Sequence, residues 1–213
     1  TAYEIPKRDW SSDVCSSDLE LRNIALEAAR GDWCIQWDDD EWYHPDRISR
    51  QLGAALASGV GASALKWTLM NVPTGGTSLR FVGSTGIATP GTLLFRRGAA
   101  RYPALARNED GGFLRKVREE KGLAVLGRES AHLFVRVFHG ANTWDDRHFV
   151  RRLWRTPGTA LDYVASKHLR GDLTRHRAFR LNSAELATFV DLDNYESHFA
   201  SRMTQRAEDF VTA

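Results

Sequence analysis

Trp33-Cys34-Ile35-Gln36-Trp37-Asp38-Asp39-Asp40-Glu41-Trp42-Tyr43-His44-Pro45-Asp46-Arg47 is the stretch on which the reading of the fold turns. Its first five residues form a short apolar run that reads as a buried strand, and the run feeds directly into four carboxylates. A strand ending in several carboxylates suffers like-charge repulsion unless a cation neutralises them. Asp38 and Asp40 are two apart, so at a strand end bending into a loop both can turn toward one hard metal ion. Oxygen ligands suit Mg²⁺ or Mn²⁺, which also bind phosphates, and the pattern therefore suggests a divalent cation bridging the protein to a pyrophosphate. The competing reading is a solvated acidic loop that caps the next helix through Asp46 or Asp40. Spacing alone leaves both open.

Working outward, Leu21, Ile24, Ala25 and Ala28 recur at helical spacing upstream, and Gly31 is a natural stop. Downstream, Pro45 suits a first helical position and Ile48, Leu52 and Leu56 continue a second helix, ended by Gly59–Gly61. Ala64–Met70 is strand-like and Asn71–Ser78 turn-rich, which predicts a hairpin over Ala64–Val82. Thr92–Phe95 reads as another strand. Gly112–Lys121 reads as a helix with Phe113, Leu114 and Val117 on one face. Leu123–Leu126 and Leu133–Phe138 are two further strands. After Trp144 the character changes: Arg151–Arg180 holds eight Arg/Lys against two Asp, a run that reads as a solvated helical face or one turned to an anionic acceptor or a membrane surface.

Composition narrows the function classes. The 213 residues suffice for one sizeable domain and an appended tail, and a net charge of +2 argues against nucleic acid as the main partner. No apolar run approaches the roughly 18 residues of a transmembrane segment. Thr1–Arg8 has no apolar core of a signal peptide, and Cys15 and Cys34 give neither a disulfide framework nor a metal knuckle, so a cytoplasmic location is the default expectation. A start at Thr1 rather than Met suggests a fragment or processed chain. Asp9–Leu19 repeats Ser-Ser-Asp-Val/Leu without helical or strand periodicity. It resembles a translated sequencing-library adapter; a Ser/Asp-rich loop is the alternative. Three parts are expected: a non-native or disordered segment over 1–19, an α/β domain over 20–146 and a mainly helical extension over 147–213.

From Arg22 to Arg47 the register resembles family 2 glycosyltransferases. These have an Arg-Asn pair on the preceding helix, here Arg22-Asn23, then Ala and Gly before the strand, here Ala29 and Gly31. Their strand ends in Asp-x-Asp, here Asp38-Asp39-Asp40, followed by aromatics, Pro and a basic residue, here Trp42, Tyr43, Pro45 and Arg47. Glu109-Asp110 resembles the Glu-Asp pair that supplies the family's catalytic base, and Gly91–Arg97 resembles the strand before its acceptor site. Phe138-His139-Gly140-Ala141-Asn142-Thr143-Trp144 is similar to a segment whose His lies by the metal and diphosphate. Simpler readings remain beside these: a helix N-cap at Asn108 or Asp110, and a core-edge histidine at 139.

The resemblance, over about residues 20–150, implies a partial GT-A (Rossmann-like) mixed sheet flanked by helices. It implies metal ligation by Asp38, Asp40 and His139, donor contacts from Arg22, Asn23, Asp38 and Asp39, and Asp110 as base with Glu109 beside it. The reaction implied is an inverting, metal-dependent transfer of a sugar from a nucleotide-diphosphate donor to a saccharide or other acceptor hydroxyl. Trp42, Tyr43 and Trp144 form either a sugar-facing wall or core. The family's first nucleotide-binding strands have no match before Glu20, so the chain as written is expected to bind donor weakly or not at all, and the enzyme restored upstream to be active. Two rivals stand: a non-catalytic fragment or binding module, and an Asp-x-Asp phosphohydrolase with Asp38 as nucleophile, for which later Thr/Ser and Lys motifs are wanting.

Overall fold

The computed structural model describes residues 13–74, 77–98, 100–103, 109–138, 150–155 and 157–212. The first sheet contains β1 (Trp33–Ile35), β3 (Ala62–Leu65), β6 (Leu94–Arg96) and β7 (Ala124–Leu126), in the order β1-β6-β3-β7. β6 is antiparallel to both neighbours, and β3 and β7 are parallel. All four residues of β3 are buried, as a strand with partners on both edges requires. β1 corrects the sequence reading: its residues are half-buried, because it lies at the edge of the sheet with β6 as its one neighbour among the described residues.

The second sheet runs β2-β8-β4-β5, from β2 (Trp42–Tyr43), β8 (Phe134–Val137), β4 (Trp67–Thr74) and β5 (Thr77–Ser84). The expected hairpin is present, with a ladder from Trp67↔Ser84 to Thr74↔Thr77 that carries the strands into the stretch read as turn. β8 joins β4 in parallel and β2 antiparallel.

Helices cover the first sheet, but two of them present unexpected faces. α1 spans Asp13–Ala28 and so includes part of the segment expected to lack helical order; once the turns from Glu20 are formed, each added residue costs little. Its apolar stripe faces outward, with Leu21 62 % and Ile24 52 % exposed, while Arg22, Asn23 and Leu26 turn inward. α2 (Arg47–Ala57) is inverted in the same way: Arg47, Gln51 and Ala55 are buried, and Ile48 and Leu56 are exposed. In both, the inward polar residues have partners remote from the outward stripe, described below. α3 (Glu109–Lys121) follows the expected pattern, burying Phe113, Leu114 and Val117, though it starts three residues early. Glu109 and Asp110 occupy its first turn, where the helix dipole favours carboxylates. Gly122 ends it at φ +71°, the left-handed position a helix end commonly needs.

The region beyond residue 150 is helical, with α4 (Pro157–Val164), α5 (Ser183–Thr212) and several short turns. The expected boundary at 146/147 lies outside the described residues. This region covers both faces of the second sheet. Phe189 and Leu192 of α5 pack on Leu69, Val82 and Val135, while Leu153 and Ala178 pack on Met70, Val72 and Phe81. Arg80 of β5 grips both carboxylate oxygens of Asp193, one at 2.9 Å, and lies over the Phe189 ring. The pair is part-exposed, so its share of stability is about 1 kcal/mol or less. Asp193→Ala is expected to lower the melting temperature by about 2–4 °C; an unchanged value would mean that apolar contacts alone dock α5. Among the described residues no helix is long and apolar enough to cross a membrane.

Candidate active site

The acidic loop leaves β1 at Gln36. The Gln36 backbone N–H donates to Leu93 O at 2.9 Å, carrying the β1–β6 pairing one residue past the strand. Tyr43 then ties the loop back on itself: its hydroxyl accepts from the Asp38 N–H at 2.6 Å and donates to Asp38 O at 2.9 Å. The Tyr43 ring lies 3.9 Å from Trp37 and 5.3 Å from Phe134, and burial pushes its phenol pKa up. Trp42 packs against the Leu69–Val82 cluster. Neither ring lines the cavity beside Asp38 among the described residues, so both belong to the core reading rather than to a sugar-facing wall. Trp144 lies outside the described residues.

That cavity, of about 650 Å³, has Asp38 and Glu41 on one side, the Thr85–Gly91 segment on another, and Glu109 and Asp110 at the start of α3 on a third. Gly91 lets the segment come close, since a Cβ there would sit 3.3 Å from Asp38 Oδ2. The structure thus brings together two carboxylates 72 positions apart in sequence. Arg22 from α1 pairs with one and acts on the other through its charge. Its Nη1 forms an ion pair with Asp110 Oδ1, which also accepts from Gln36 Nε2 at 3.3 Å. Burial pushes the Arg22 guanidinium down, and Asp110, Tyr102 and Asp38 outweigh that and hold it above its ordinary value. Burial raises the Asp38 pKa; Arg22 opposes the rise, and Asp110 and Asp40 add to it.

The remaining expected residues divide. Asp39 and Asp40 are exposed on the loop, with Asp40 near enough to act on Asp38. Glu109 is half-buried and lines the cavity. Asn23 turns away from it: its Oδ1 accepts from Tyr102 N at 2.9 Å and its Nδ2 donates to Tyr102 O at 3.4 Å. It pins Tyr102 on Phe113, stacked at 3.9 Å, beneath Arg22. His139 lies outside the described residues. Among the described residues no three His, Cys, Asp or Glu side chains gather in a set able to hold a metal.

Glu41, the last carboxylate of the run, points inward. It accepts from Val137 N at 2.7 Å and Arg136 Nε at 3.1 Å, and burial pushes its pKa up to about 7 against the pull of Arg136. Sequence reasoning misses Gln36 and Arg136, which carry no signal of their own. Arg152, read there within a run that is either a solvated helical face or one turned to an anionic acceptor or a membrane surface, is 6 % exposed and lines the cavity, which does not fit the solvated alternative.

Residues 20–101 match the family model described as Glycosyl transferase family 2. This stretch is a family 2 glycosyltransferase domain. The matched part of the domain holds Arg22, the acidic loop and the Thr85–Gly91 segment, and it ends before Glu109 and Asp110. The two mixed sheets flanked by helices fit part of a GT-A, Rossmann-like fold with a helical C-terminal region. No curated protein matches the chain.

Proposed function

We propose that this glycosyltransferase domain transfers a sugar from a nucleotide-diphosphate donor to an acceptor hydroxyl with inversion, using Asp110 as base and a divalent cation at Asp38 and Asp40. The observation that carries the reading is the convergence of Asp38 and Asp110 on one cavity, with Arg22 paired to Asp110. Among the described residues both Asp110 side-chain contacts engage Oδ1, which leaves Oδ2 to take the acceptor proton. Arg22 and Gln36 fix the carboxylate's orientation, and Glu109 neighbours it at the cavity wall.

The donor set fits a hard cation. Asp38 is half-buried, and burial, helped by the neighbouring Asp110 and Asp40, raises its pKa against the pull of Arg22 and Arg136, a strain that a bound cation would relieve. Mg²⁺ is commonly held by one or two carboxylates, its other positions filled by water and substrate phosphate, so Asp38 and Asp40 suffice and His139 is a proposed third ligand. When bound, the ion would supply charge stabilisation to the leaving diphosphate. Asp39 and Asn23 remain proposed donor contacts, Asn23 through the Tyr102 segment it braces.

A panel of nucleotide sugars, with the product anomer read by NMR, tests the reaction class. Chelation by EDTA is expected to lower turnover by on the order of a hundredfold or more, with Mn²⁺ or Mg²⁺ restoring it. Full turnover in EDTA would remove the metal from the reading, and a product of retained configuration would remove the inverting step.

A further inference from the structure

After Pro157 the chain turns apolar side chains outward. Leu161 of α4 is 74 % exposed and Val164 50 %, and Leu169, at the end of the π turn Ala165–Leu169 that follows, is 82 % exposed. The inward positions hold Thr159 and Ser166, both buried, and Asp162, mostly covered. That is the reverse of a helix that docks by its apolar face. The π turn aligns the three outward residues. The Arg170 N–H donates to Ala165 O at 3.0 Å, five residues back, and the extra residue in the turn puts Leu169 where the seventh residue after Leu161 would stand on a regular helix. Apolar side chains exposed singly are ordinary on a protein surface, whereas these lie together on one face and form a patch.

Positive charge flanks the patch. Lys167, His168 and Arg170 are exposed beside it. Asp162 and Asp172 are the two carboxylates between residues 157 and 180, and both are engaged by other arginines. Asp162 Oδ2 accepts from the Arg177 N–H at 2.8 Å, and Asp172 Oδ2 lies 3.5 Å from Arg175 Nε. Among the described residues neither Lys167 nor Arg170 has an ion-pair partner. Lys167 donates instead to the Tyr163 hydroxyl at 3.0 Å and lies over the Tyr163 ring, which packs on Trp154. Aromatics with a polar edge, cations on long stems and outward aliphatic side chains make up a surface suited to a bilayer interface.

We infer that the face carrying Leu161, Val164 and Leu169 docks on an anionic bilayer surface, with the aliphatic side chains entering the headgroup boundary and Lys167 and Arg170 against lipid phosphates. Charge complementarity selects this occupant. A second copy meeting the same face about a two-fold axis would set these cations against their own equivalents. Attachment along the surface needs one amphipathic face and not a spanning length. The inference does not depend on the transferase reading.

The test is co-sedimentation of the full chain with vesicles of phosphatidylcholine alone and of phosphatidylcholine mixed with phosphatidylglycerol. Binding to the mixed vesicles is expected to exceed that to the neutral ones by about tenfold or more. The double variant Leu161→Ser/Leu169→Ser should weaken it about tenfold or more, and Arg170→Gln about fivefold. All three side chains are exposed, so the melting temperature of both variants should stay at the wild-type value. Raising the salt from about 0.1 M to about 1 M should bring binding down toward the neutral-vesicle level. No binding to the mixed vesicles, equal affinity for neutral and anionic vesicles, or wild-type affinity in both variants overturns the docking surface. Self-association in the ultracentrifuge that Leu161→Ser/Leu169→Ser abolishes, with no vesicle binding, assigns the face to a second copy and overturns it as well.

Discussion

Asp110→Asn is expected to leave the fold intact and lower kcat/KM for sugar transfer by about 10²–10⁴, the usual share of a positioned general base. Asparagine keeps the shape of the side chain and an oxygen for Arg22, so the geometry at the start of α3 should survive. What is lost is the negative charge and the capacity to take a proton. The Arg22–Asp110 pair is part-exposed on both sides, so the stability lost with it is about 1 kcal/mol or less. The expected signature is therefore a fall in kcat with little change in donor KM or melting temperature. Asp110→Glu, which retains the carboxylate at a displaced position, should recover part of the rate. A variant Asp110→Asn with more than half of the wild-type rate would remove Asp110 from the chemistry and leave it as the ion-pair partner of Arg22.

The acidic run after β1, the helices on either side of it and the β4–β5 hairpin are legible in the sequence because each depends on local pattern. Which face a helix buries is not. α1 and α2 both carry apolar stripes at helical spacing, and in both most of the stripe points outward, with Leu52 of α2 half-buried. The inward choice is made by partners remote in sequence: Arg22 meets Asp110, 88 positions away, and Asn23 meets Tyr102, 79 positions away. Periodicity counts apolar residues and cannot weigh such pairings. The same reasoning explains Arg152. In a run of basic residues it is indistinguishable from its exposed neighbours Arg151 and Arg155, and only the packing of its turn against Gly83 and β4 sets it apart. Glu41 is a smaller instance, since nothing in four consecutive carboxylates says that the fourth turns to β8 and the first to the cavity. The candidate site thus follows from two short motifs, while its cationic half depends on tertiary contacts.

The same contrast puts Arg47 at the centre of a buried polar network. Arg47→Ala is expected to destabilise the protein by about 3–5 kcal/mol, the range for truncating a large buried side chain and orphaning its hydrogen-bond acceptors. Its side chain is fully buried, and Nε donates to Gln51 Oε1 at 3.0 Å while Nη2 donates to Gln36 O at 3.0 Å. Its guanidinium lies over the Tyr43, Trp37 and Phe134 rings, at 4.5, 5.1 and 5.6 Å from their centroids. Burial pushes its pKa down to about 10, against the pull of Tyr43 and Asp38. Gln51 carries the network onward by donating to Thr92 O at 2.7 Å and Ser63 O at 3.3 Å, so α2, β3 and the turn before β6 are tied through one side chain. Truncation at 47 would orphan two acceptors and open a void under the aromatic rings that hold the Asp38 loop. Arg47→Met refills much of the void but leaves the acceptors unpaired, and should cost roughly half as much. Thermal unfolding reads the difference as a loss of about 10 °C for Ala against about 5 °C for Met. Equal losses would mean that the hydrogen bonds, not the stacked volume, hold the acidic loop beneath the cavity; a loss below about 2 °C for Ala would mean that Tyr43 and its bonds to Asp38 hold it without help from α2.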